Sequence, residues 1–547
     1  MVILAACAAL VAVLGAVFLF TLITPLEIAG KKFSKSEDYV SLSDVTVTDS
    51  DMANMMKLKK LRTLRLINCT VSDDAMDNLR NAPQTLKELE MRNCTGIQTA
   101  GAFIPIGALV NLETLVMDGM QLTDADVSYM FQTVPANLGV VDFSNNPALT
   151  DISSLSSASA LRTLTVSNTA VCDFSDLQGC GELTNITAQN TGMTDASSLF
   201  GLSQLSMLYL GDNQIADLED IENLTSLYNL DLSNNKLSGL DGLEKLASLT
   251  VLDISGNEIT DLKNLSALTK LEKLYANRNK LTRLEGLEQT IGLKVLEVAE
   301  NQLADINGVR NCTILETVNI SSNRISDISL LSKSAGTMKK LYFHYNNVSD
   351  ISALSGMTNL KYLGFDHNRV GDLDALSGLK SLEVLSASFN EIYGIRGLEN
   401  ANKLQYIYLD HNQIYDMTAI ATLSRYSEDG LEVVDLSHNQ IHELVLASGK
   451  RYSILALYDN PFSNIEEAKK AEGSTLYLSY QDQGDFAGLK DAYTYIVLEG
   501  CPLDRQYPMT QKILGVDYLS PYLEFVEADA VDKRMQEAKT KNALGTN

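Results

Sequence analysis

The longest regular feature of the chain is a pattern of apolar positions that returns every 22 residues, from Leu183 through Leu315 and again from Leu360 to Leu404. Each repeat has the form Leu-x-x-Leu-x-Leu-x-x-Asn-x-Ile-x-Asp-Leu-x-x-Leu-x-x-Leu, as in "LYLGDNQIADLEDIENLTSLYNLDLSNNKLSGL". The apolar residues at positions 4 and 6 are two apart, so they lie on one face of a short strand. One strand per repeat, always in the same direction, predicts a parallel sheet with neighbouring strands about 4.8 Å apart. Because no single repeat buries its own apolar side chains, the repeats must stack on one another.

Asparagine recurs at position 9, where the chain leaves each strand. Its side-chain amide has two donors and an acceptor, which can satisfy the bent backbone of its own coil and of the neighbouring coil. We therefore expect an inward-facing ladder of structural asparagines, formed by Asn146, Asn213, Asn235, Asn257, Asn279, Asn301, Asn323, Asn346, Asn368, Asn390, Asn412, Asn439 and Asn460. A thiol or a threonine takes this position in the early repeats, at Cys69, Cys94, Thr169 and Thr191.

Aspartate at position 13 precedes a short apolar turn, and we expect its carboxylate to accept hydrogen bonds from the first N–H groups of that turn. The early repeats begin near Asp38 and are longer. Their segments "VSDDAMDNLRNA" and "LTDADVSYMFQTV" have the apolar spacing of α-helices. Helices should therefore cover the convex side of the early repeats, and short 3₁₀ turns should follow in the later ones.

These repeats resemble the leucine-rich repeat family, and "NRISDISLLS" and "NNVSDISALS" are similar to the short repeats of bacterial internalin-type surface proteins. The resemblance extends over residues 38–504. It implies an α/β fold, a right-handed solenoid of horseshoe shape with a parallel sheet on its concave face. For function it implies binding, without naming a partner.

The resulting division of the chain has three parts. An apolar segment covers residues 1–30, and the solenoid covers 31–504, with longer helical repeats to about residue 182. A C-terminal cap with a polar helical tail, "EADAVDKRMQEAKTK", covers 505–547. Two further elements are predicted near the end of the solenoid: an extra convex helix in "MTAIATLSRYSEDG", and weak strands at Leu476–Leu478 and Ile496–Leu498.

The N-terminal segment from Val2 to Leu26 contains no charged residue. About 20 apolar residues span a bilayer as a helix, whereas the apolar core of a secretory signal has only about 7–15. We expect residues 2–26 to contact the membrane as an uncleaved anchor, or to be a cleaved signal, in a protein held at the cell surface or secreted. Lys31, Lys32 and Lys35 follow the apolar run, and the positive-inside tendency favours the opposite orientation. A cytoplasm-facing scaffold therefore stays open, and the short repeats also resemble those of phosphatase-regulating adaptor proteins.

Charge and cysteine usage narrow the classes of partner. The formal net charge of −26 disfavours DNA and RNA as partners. The 7 cysteines show no metal-ligand spacing, and no phosphate-binding or catalytic motif is present. We assign no cofactor, no metal and no catalytic residue. Pairing of Cys172 with Cys180 stays open for an oxidising compartment.

The outward strand positions 3, 5, 7 and 8 form the concave face, and this face changes along the chain. It is small and polar between Met207 and Ser322, and it becomes aromatic between Lys340 and Asp459. The predicted partner-binding residues on it are Tyr342, Tyr345, Tyr362, His367, Phe389, Tyr406, Tyr408, His411 and Tyr458.

A protein or peptide ligand is the preferred partner, because aromatic side chains supply broad contact area with polar tips. A glycan stacked on the rings is an alternative partner, and a merely solvated polar face is another interpretation. A metal or hydrolytic site made of His411, His438 and Asp410 is the least favoured. An open sheet does not enclose a pocket that excludes water, so an enzyme is not expected.

Overall fold

The structure is a computed structural model that describes residues 25–426, 431–461, 465–479, 489–499 and 523–526, together with 532, 533, 535–537 and 539. Nearly all of the predicted membrane segment and most of the predicted cap lie outside these residues. Within the described chain, no helix is both long enough and apolar enough to span a bilayer. The chain divides into two compact units, the first ending at Asn257 and the second beginning at Glu258.

The first unit opens with an antiparallel hairpin and continues as a parallel sheet. Leu26, the last residue of the predicted membrane segment, begins the first strand of the hairpin, which pairs with the second. The later strands pair in parallel with their neighbours, except that β4 pairs with β6 in a separate ladder. The strands are β1 Leu26–Ile28, β2 Lys31–Phe33, β3 Tyr39–Ser43, β4 Thr46–Val47, β5 Thr63–Ile67, β6 Thr70–Val71, β7 Glu88–Arg92, β8 Thr114–Asp118, β9 Val140–Asp142, β10 Thr163–Thr165, β11 Asn185–Thr187, β12 Met207–Tyr209, β13 Asn229–Asp231 and β14 Val251–Asp253.

The second unit is built on a parallel sheet in which each strand pairs with the next strand along the chain. Its strands are β15 Lys273–Tyr275, β16 Val295–Glu297, β17 Thr317–Asn319, β18 Lys340–Tyr342, β19 Tyr362–Gly364, β20 Val384–Ser386, β21 Tyr406–Tyr408, β22 Leu431–Asp435, β23 Arg451–Ala456, β24 Glu472–Ser479, β25 Tyr493–Glu499 and β26 Leu523–Val526. Strands β24 and β25 contain the two weak strands predicted from sequence, and both are longer than predicted.

Short helices return the chain from one strand to the next. The α-helices are α1 Asp49–Met56, α2 Asp73–Asp77, α3 Ile104–Gly107, α4 Asp124–Met130 and α5 Thr418–Tyr426. The 3₁₀ helices are Asn78–Asn81, Ala100–Phe103, Ser153–Leu155, Ser175–Gly179, Ser197–Leu199, Ile221–Asn223, Leu243–Lys245, Lys263–Ala267, Asn307–Val309, Ser329–Ser334, Ser352–Leu354, Asp374–Leu376, Arg396–Leu398, Glu466–Lys470 and Leu489–Asp491.

The predicted change from α-helical to 3₁₀ turns occurs, and the extra helix predicted near residue 420 is α5. The change comes earlier in the chain than the boundary near residue 182. The last α-helix of the first unit ends at Met130, and from Ser153 onward the described helices of this unit are all 3₁₀. The pairing of Val140 with Thr163 shows that the repeat is already only 23 residues long at this point. A repeat of that length has room for a single tight turn.

The amides at position 9 join neighbouring coils by hydrogen bonds. Asn235 is representative: its Oδ1 accepts from the Ile215 N–H at 2.9 Å, and its Nδ2 donates to the carbonyls of Leu210 at 2.9 Å and Leu232 at 3.1 Å. Matching bonds are made by the other asparagines, for example by Asn460 with Ile441. The aliphatic residues of the same coil are fully buried, so each amide satisfies backbone groups inside an apolar wall.

Aspartate at position 13 caps the following turn, as predicted. Asp350 Oδ1 accepts from the Ser352 N–H at 2.8 Å, and Asp327 Oδ1 accepts from the Ser329 N–H at 2.7 Å. These bonds lower the pKa of both carboxyl groups. Part of the chain's acidity is thus used to cap the start of backbone turns.

Candidate functional site

The residue at position 8 of nearly every repeat adopts a left-handed backbone conformation, because the chain turns there from the strand toward the asparagine. The φ angle is 60° at Asn145 and 57° at Asn168 in the first unit, and 54° at His367 and Phe389 in the second. Asparagine tolerates this conformation, whereas bulky side chains pay about 1–2 kcal/mol for it. The second unit therefore places rings where the backbone favours asparagine or glycine.

These rings form one continuous column, the ring stack, made of Tyr345, His367, Phe389, His411 and His438. Successive ring centroids are 4.2, 4.3, 4.0 and 4.0 Å apart, and the rings are nearly parallel, with interplanar angles between 10° and 25°. The spacing is slightly below the separation of neighbouring strands, about 4.7–4.9 Å, so one ring per coil suffices to build the column. Tyr345 and Phe389 are 54% and 39% exposed, so the stack presents ring surface to solvent.

In the first unit the same position carries a ladder of amides. Asn168 Nδ2 donates to Asn145 Oδ1 at 2.8 Å, and Asn190 Nδ2 donates to Asn168 Oδ1 at 2.7 Å. The two units thus share a backbone plan but offer different surfaces, one of amides and one of rings. This contrast locates the candidate site in the second unit.

Beside the ring stack lies the aspartate pocket, formed by Asp366, Asp410 and Asp435 at positions 7, 7 and 5 of their repeats, with the repeat of Ser386 and Ser388 between the first two. Serine hydroxyls hold the carboxylates. Ser386 Oγ donates to Asp366 Oδ1 at 2.8 Å, Ser388 Oγ donates to Asp410, and Ser437 Oγ donates to Asp435 Oδ1 at 2.6 Å. His344 Nδ1 lies 3.0 Å from Asp366 Oδ2.

The three carboxyl groups differ in pKa although they are neighbours. Burial opposes ionisation of Asp366, but the His344 hydrogen bond and the Lys539 ammonium outweigh it and hold the pKa of Asp366 well below its usual range. The pKa of Asp410 is also lowered, since its contacts with His411, Lys539 and Ser388 exceed the effect of burial. Burial and the charge of Asp410 together raise the pKa of Asp435 to about 7.

A C-terminal segment, of which residues 532, 533, 535–537 and 539 are described and helical, covers part of this face. Lys539 Nζ donates to Ser388 Oγ at 2.6 Å and lies 3.1 Å from Asp366 Oδ2 and 4.0 Å from Asp410 Oδ1. Tyr458 Oη donates to Asp532 Oδ1 at 2.5 Å. Between the segment and the ring stack remains a pocket of about 360 Å³.

The structure brings most of the predicted partner-binding residues together on the sheet face, but it corrects two of them. Tyr408 and Tyr458 were predicted as exposed contact residues, and they are 0% and 1% exposed. Both lie in an apolar cluster with Val433 and Met535, because the C-terminal segment packs over them. Tyr342, Tyr362 and Tyr406 are partly buried, at the strand positions expected for them.

The least favoured of the predicted sites, a metal site at His411, His438 and Asp410, has a different arrangement. His411 Nδ1 lies 3.1 Å from Asp410 Oδ2. The group of possible ligands that the described residues bring together is His411, His438 and Asp532, with ligand atoms within 4.8 Å of one another. Both ring nitrogens of His438 are already in polar contacts, with Asp459 at 2.6 Å and Asp532 at 3.1 Å. The histidines therefore belong to a hydrogen-bonded network.

Sequence reasoning missed Ser386, Ser388, Met535 and Lys539. Ser386 and Ser388 occupy the outward positions 5 and 7 of a repeat whose neighbours carry aspartates, so the sequence contains a signal for them. The docking of Met535 and Lys539 had no local signal, since Lys539 contacts a residue 151 positions earlier in the chain.

The raised pKa of Asp435 leads to a pH-dependent prediction. The ordinary pKa of aspartate is about 3.9, so the folded protein holds this proton more tightly than the unfolded chain does. The resulting stabilisation is fully present below about pH 4 and is lost as the pH rises through about 7. Asp435→Asn should therefore gain thermal stability over the wild type as the pH rises from 5 to 8.

The opposite dependence of stability on pH is expected for Asp366. Its pKa is lowered, so its contribution is present above the ordinary pKa and is lost as the pH falls. Asp366→Asn should cost most near neutral pH and less in acid. Calorimetric melting temperatures of the wild type and both variants at several pH values check the pair. Parallel pH profiles for all three proteins would contradict this assignment.

Comparison with known proteins supports the repeat and the fold. The family model described as Leucine Rich repeats (2 copies) matches residues 203–245, 225–267, 247–289 and 337–378. A sequence comparison with curated proteins found no match.

Solved structures with a similar fold come from bacteria and plants. The functional domain of InlJ from Listeria monocytogenes is 21% identical with a TM-score of 0.53, and the match covers 68% of this chain and 75% of that one. The plant peptide hormone receptor RGFR1 in complex with RGF2 is 17% identical with a TM-score of 0.57, covering 91% and 96%. The ectodomain of the Arabidopsis thaliana receptor kinase GASSHO1/SCHENGEN3, in complex with CASPARIAN STRIP INTEGRITY FACTOR 2, is 17% identical with a TM-score of 0.56, covering 89% and 67%.

At these identities the likeness establishes the fold. The matched repeats, the strand at positions 4 to 6, the amide at position 9 and the capped turn at position 13 agree with it. The segments 203–289 and 337–378 are thus leucine-rich repeats, and the described chain has the leucine-rich repeat fold.

Proposed function

We propose that the chain is a non-enzymatic protein-binding protein whose binding surface is the sheet face around the ring stack. The observation that supports this most strongly is the left-handed backbone under the five stacked rings. Strained conformations cost about 1–3 kcal/mol each and cluster at functional sites. Asparagine in the first unit shows that the same turn can be made without that cost.

The chemistry of the surface suits a protein or peptide partner. Exposed rings of Tyr345 and Phe389 give a rigid apolar contact area, and the imidazoles of His367 and His411 stacked against them add polar edges. The rings are ordered by one another before any partner arrives, so binding immobilises few side chains.

Similar structures support the same class of partner. RGFR1 and GASSHO1/SCHENGEN3 were both solved as complexes, with RGF2 and with CASPARIAN STRIP INTEGRITY FACTOR 2. We propose a peptide or protein ligand for this chain by analogy with them. Nothing in the comparisons supports the glycan-binding alternative. The carboxylates of the aspartate pocket are engaged by serines and by Lys539, an arrangement suited to holding a cation.

We also propose that the repeats face the outside of the cell, on the strength of the apolar segment at residues 2–26. Added protease should then cleave near Lys31 and Lys32 in intact cells. Protection of this flank would favour the cytoplasm-facing scaffold or phosphatase-regulating adaptor.

The double substitution of Tyr345 and Phe389 by alanine should weaken binding of the partner by about thirtyfold or more, since even one hot-spot residue is worth about 2 kcal/mol. Thermal stability should change little, because both rings are exposed. The partner would be isolated with the immobilised full chain, and its affinity would then be measured by calorimetry with each variant.

A matched control is available at Tyr393 and Tyr415. Both side chains are exposed and both stand at position 12 of their repeats, off the sheet face. Replacing these two by alanine should leave the affinity unchanged. An equal loss of affinity in both double variants, or no loss in the first, would overturn the proposed surface.

A further inference from the structure

The contacts of Lys539 identify the kind of group that the aspartate pocket accepts. Its ammonium donates to Ser388 Oγ at 2.6 Å, lies 3.1 Å from Asp366 Oδ2, and stands 5.6 Å from the centre of the Tyr408 ring. The Lys539 side chain is only 8% exposed. A carboxylate, a hydroxyl and a ring face around one ammonium group form a built cation site.

The charges of the pocket require such a cation. Asp366 and Asp410 are both buried or nearly so, and hydrogen bonds with His344 and His411 lower the pKa of each, with the positive charge of Lys539 adding to the effect. Without an ammonium, two neighbouring carboxylates would face one another with little water to separate them, which is strongly unfavourable. A neutral side chain in place of Lys539 would leave this repulsion uncompensated.

The C-terminal segment contacts the face at three points with helical spacing. Asp532 binds Tyr458 Oη and lies 3.1 Å from His438 Nε2. Met535 is buried in the cluster that contains Tyr408 and Tyr458, and Lys539 fills the aspartate pocket. The offsets of three and seven residues place these side chains on one face of a helix, the arrangement by which helical peptides dock in grooves.

An occupant from the same chain competes with any partner. A tethered segment acts at an effective concentration in the millimolar range when its connection spans the distance well. A partner can bind only those pockets that the segment leaves empty. Its apparent affinity is therefore lowered in proportion to the fraction of pockets that are empty. Tyr345 and Phe389 of the ring stack stay exposed beside the pocket, so these two rings offer a partner a first contact.

We propose that the aspartate pocket is a receptor for a lysine ammonium group, that the C-terminal segment fills it in the isolated chain, and that the partner is a basic helical segment with an apolar residue four positions before its lysine. This inference rests on the proposed function, of which it names the ligand class. The occupant seen here shows the chemistry that the partner must reproduce.

The test uses a fluorescent peptide with the sequence of residues 530–542, "AVDKRMQEAKTKN", titrated against the full chain and followed by fluorescence anisotropy. The wild-type chain should bind it weakly. A full chain with Met535→Ala and Lys539→Ala, whose own segment is weakened, should bind it at least tenfold more tightly. The same peptide with glutamine in place of its lysine at 539 should lose about thirtyfold or more, as expected for truncation of a buried charge pair.

The lysine is replaced in the peptide and not in the protein, so the comparison of the two peptides does not depend on the folding of a variant chain. Asp366→Asn in the chain with the weakened segment should give the same loss from the receptor side. Equal binding of the lysine and glutamine peptides, or no binding of the lysine peptide to the variant chain, would overturn the lysine site. The partner affinities of the Tyr345 and Phe389 variant report separately on the proposed function, so either proposal can fail while the other stands.

Discussion

Replacing Asn368 with alanine is expected to lower the free energy of unfolding by about 3–4 kcal/mol, among the largest effects for one residue of this chain. Its Nδ2 donates to the carbonyls of Phe343 at 2.9 Å and Phe365 at 3.0 Å, and its Oδ1 accepts from the Val348 N–H at 2.9 Å. Alanine removes all of these partners and leaves the backbone groups buried. Each unsatisfied buried group costs about 1–3 kcal/mol.

Native-state hydrogen exchange measures this effect best, because long repeat arrays can open locally rather than as a whole. The Val348 amide should exchange faster in Asn368→Ala than in the wild type. Asn347→Ala is the matched control, since Asn347 is the same residue type, directly precedes Val348 and has an exposed side chain. Similar exchange rates in the two variants would contradict a structural role for the ladder.

Replacing Gly397 with alanine is expected to cost about 3 kcal/mol, at the upper end of the range for overpacking. A Cβ at this position would stand 1.7 Å from the Leu373 carbonyl oxygen of the preceding coil and 2.5 Å from its carbon. Backbone atoms cannot turn aside as a side chain can, so the two coils must part. Gly308 makes the same close approach to the Leu284 carbonyl oxygen.

Gly378→Ala provides the comparison for this substitution. A Cβ at Gly378 meets nothing within 4 Å, so the melting temperature should change by less than a degree or two, as is usual for surface substitutions. Gly397→Ala should lower it by several degrees. Equal melting temperatures for the two variants would show that the coils are not held at the spacing described.

The fold was largely predictable because the residues that determine it recur at the same positions from repeat to repeat. Positions 4 and 6 define a strand, position 9 needs an amide, and position 13 needs a cap, and each requirement recurs in many coils. Gly397 and Gly308 escaped notice because the apolar pattern says nothing of how closely two backbones approach. The early end of the α-helices, at Met130, depends on a shortening of the repeat by a few residues.

The site was predictable only in part. The alternation of inward and outward positions in each repeat placed Tyr345, His367, Phe389 and His411 on the outward face. Their stacking follows because each coil contributes one ring. The left-handed backbone at position 8 could not be deduced, since rings are unusual there. Burial of Tyr408 and Tyr458 depends on a segment that follows them by dozens of residues, and no local pattern encodes such a contact.

The central claim is that the sheet face beside the ring stack docks a helical segment. Photo-crosslinking in the isolated full chain tests it most directly, with benzoylphenylalanine in place of Phe389, which lines the same pocket as Met535 and Lys539. We expect an intramolecular adduct that maps by mass spectrometry to residues 532–539, and none from the same probe at Tyr415. Adducts from Tyr415 to these residues, or none from position 389, would contradict it.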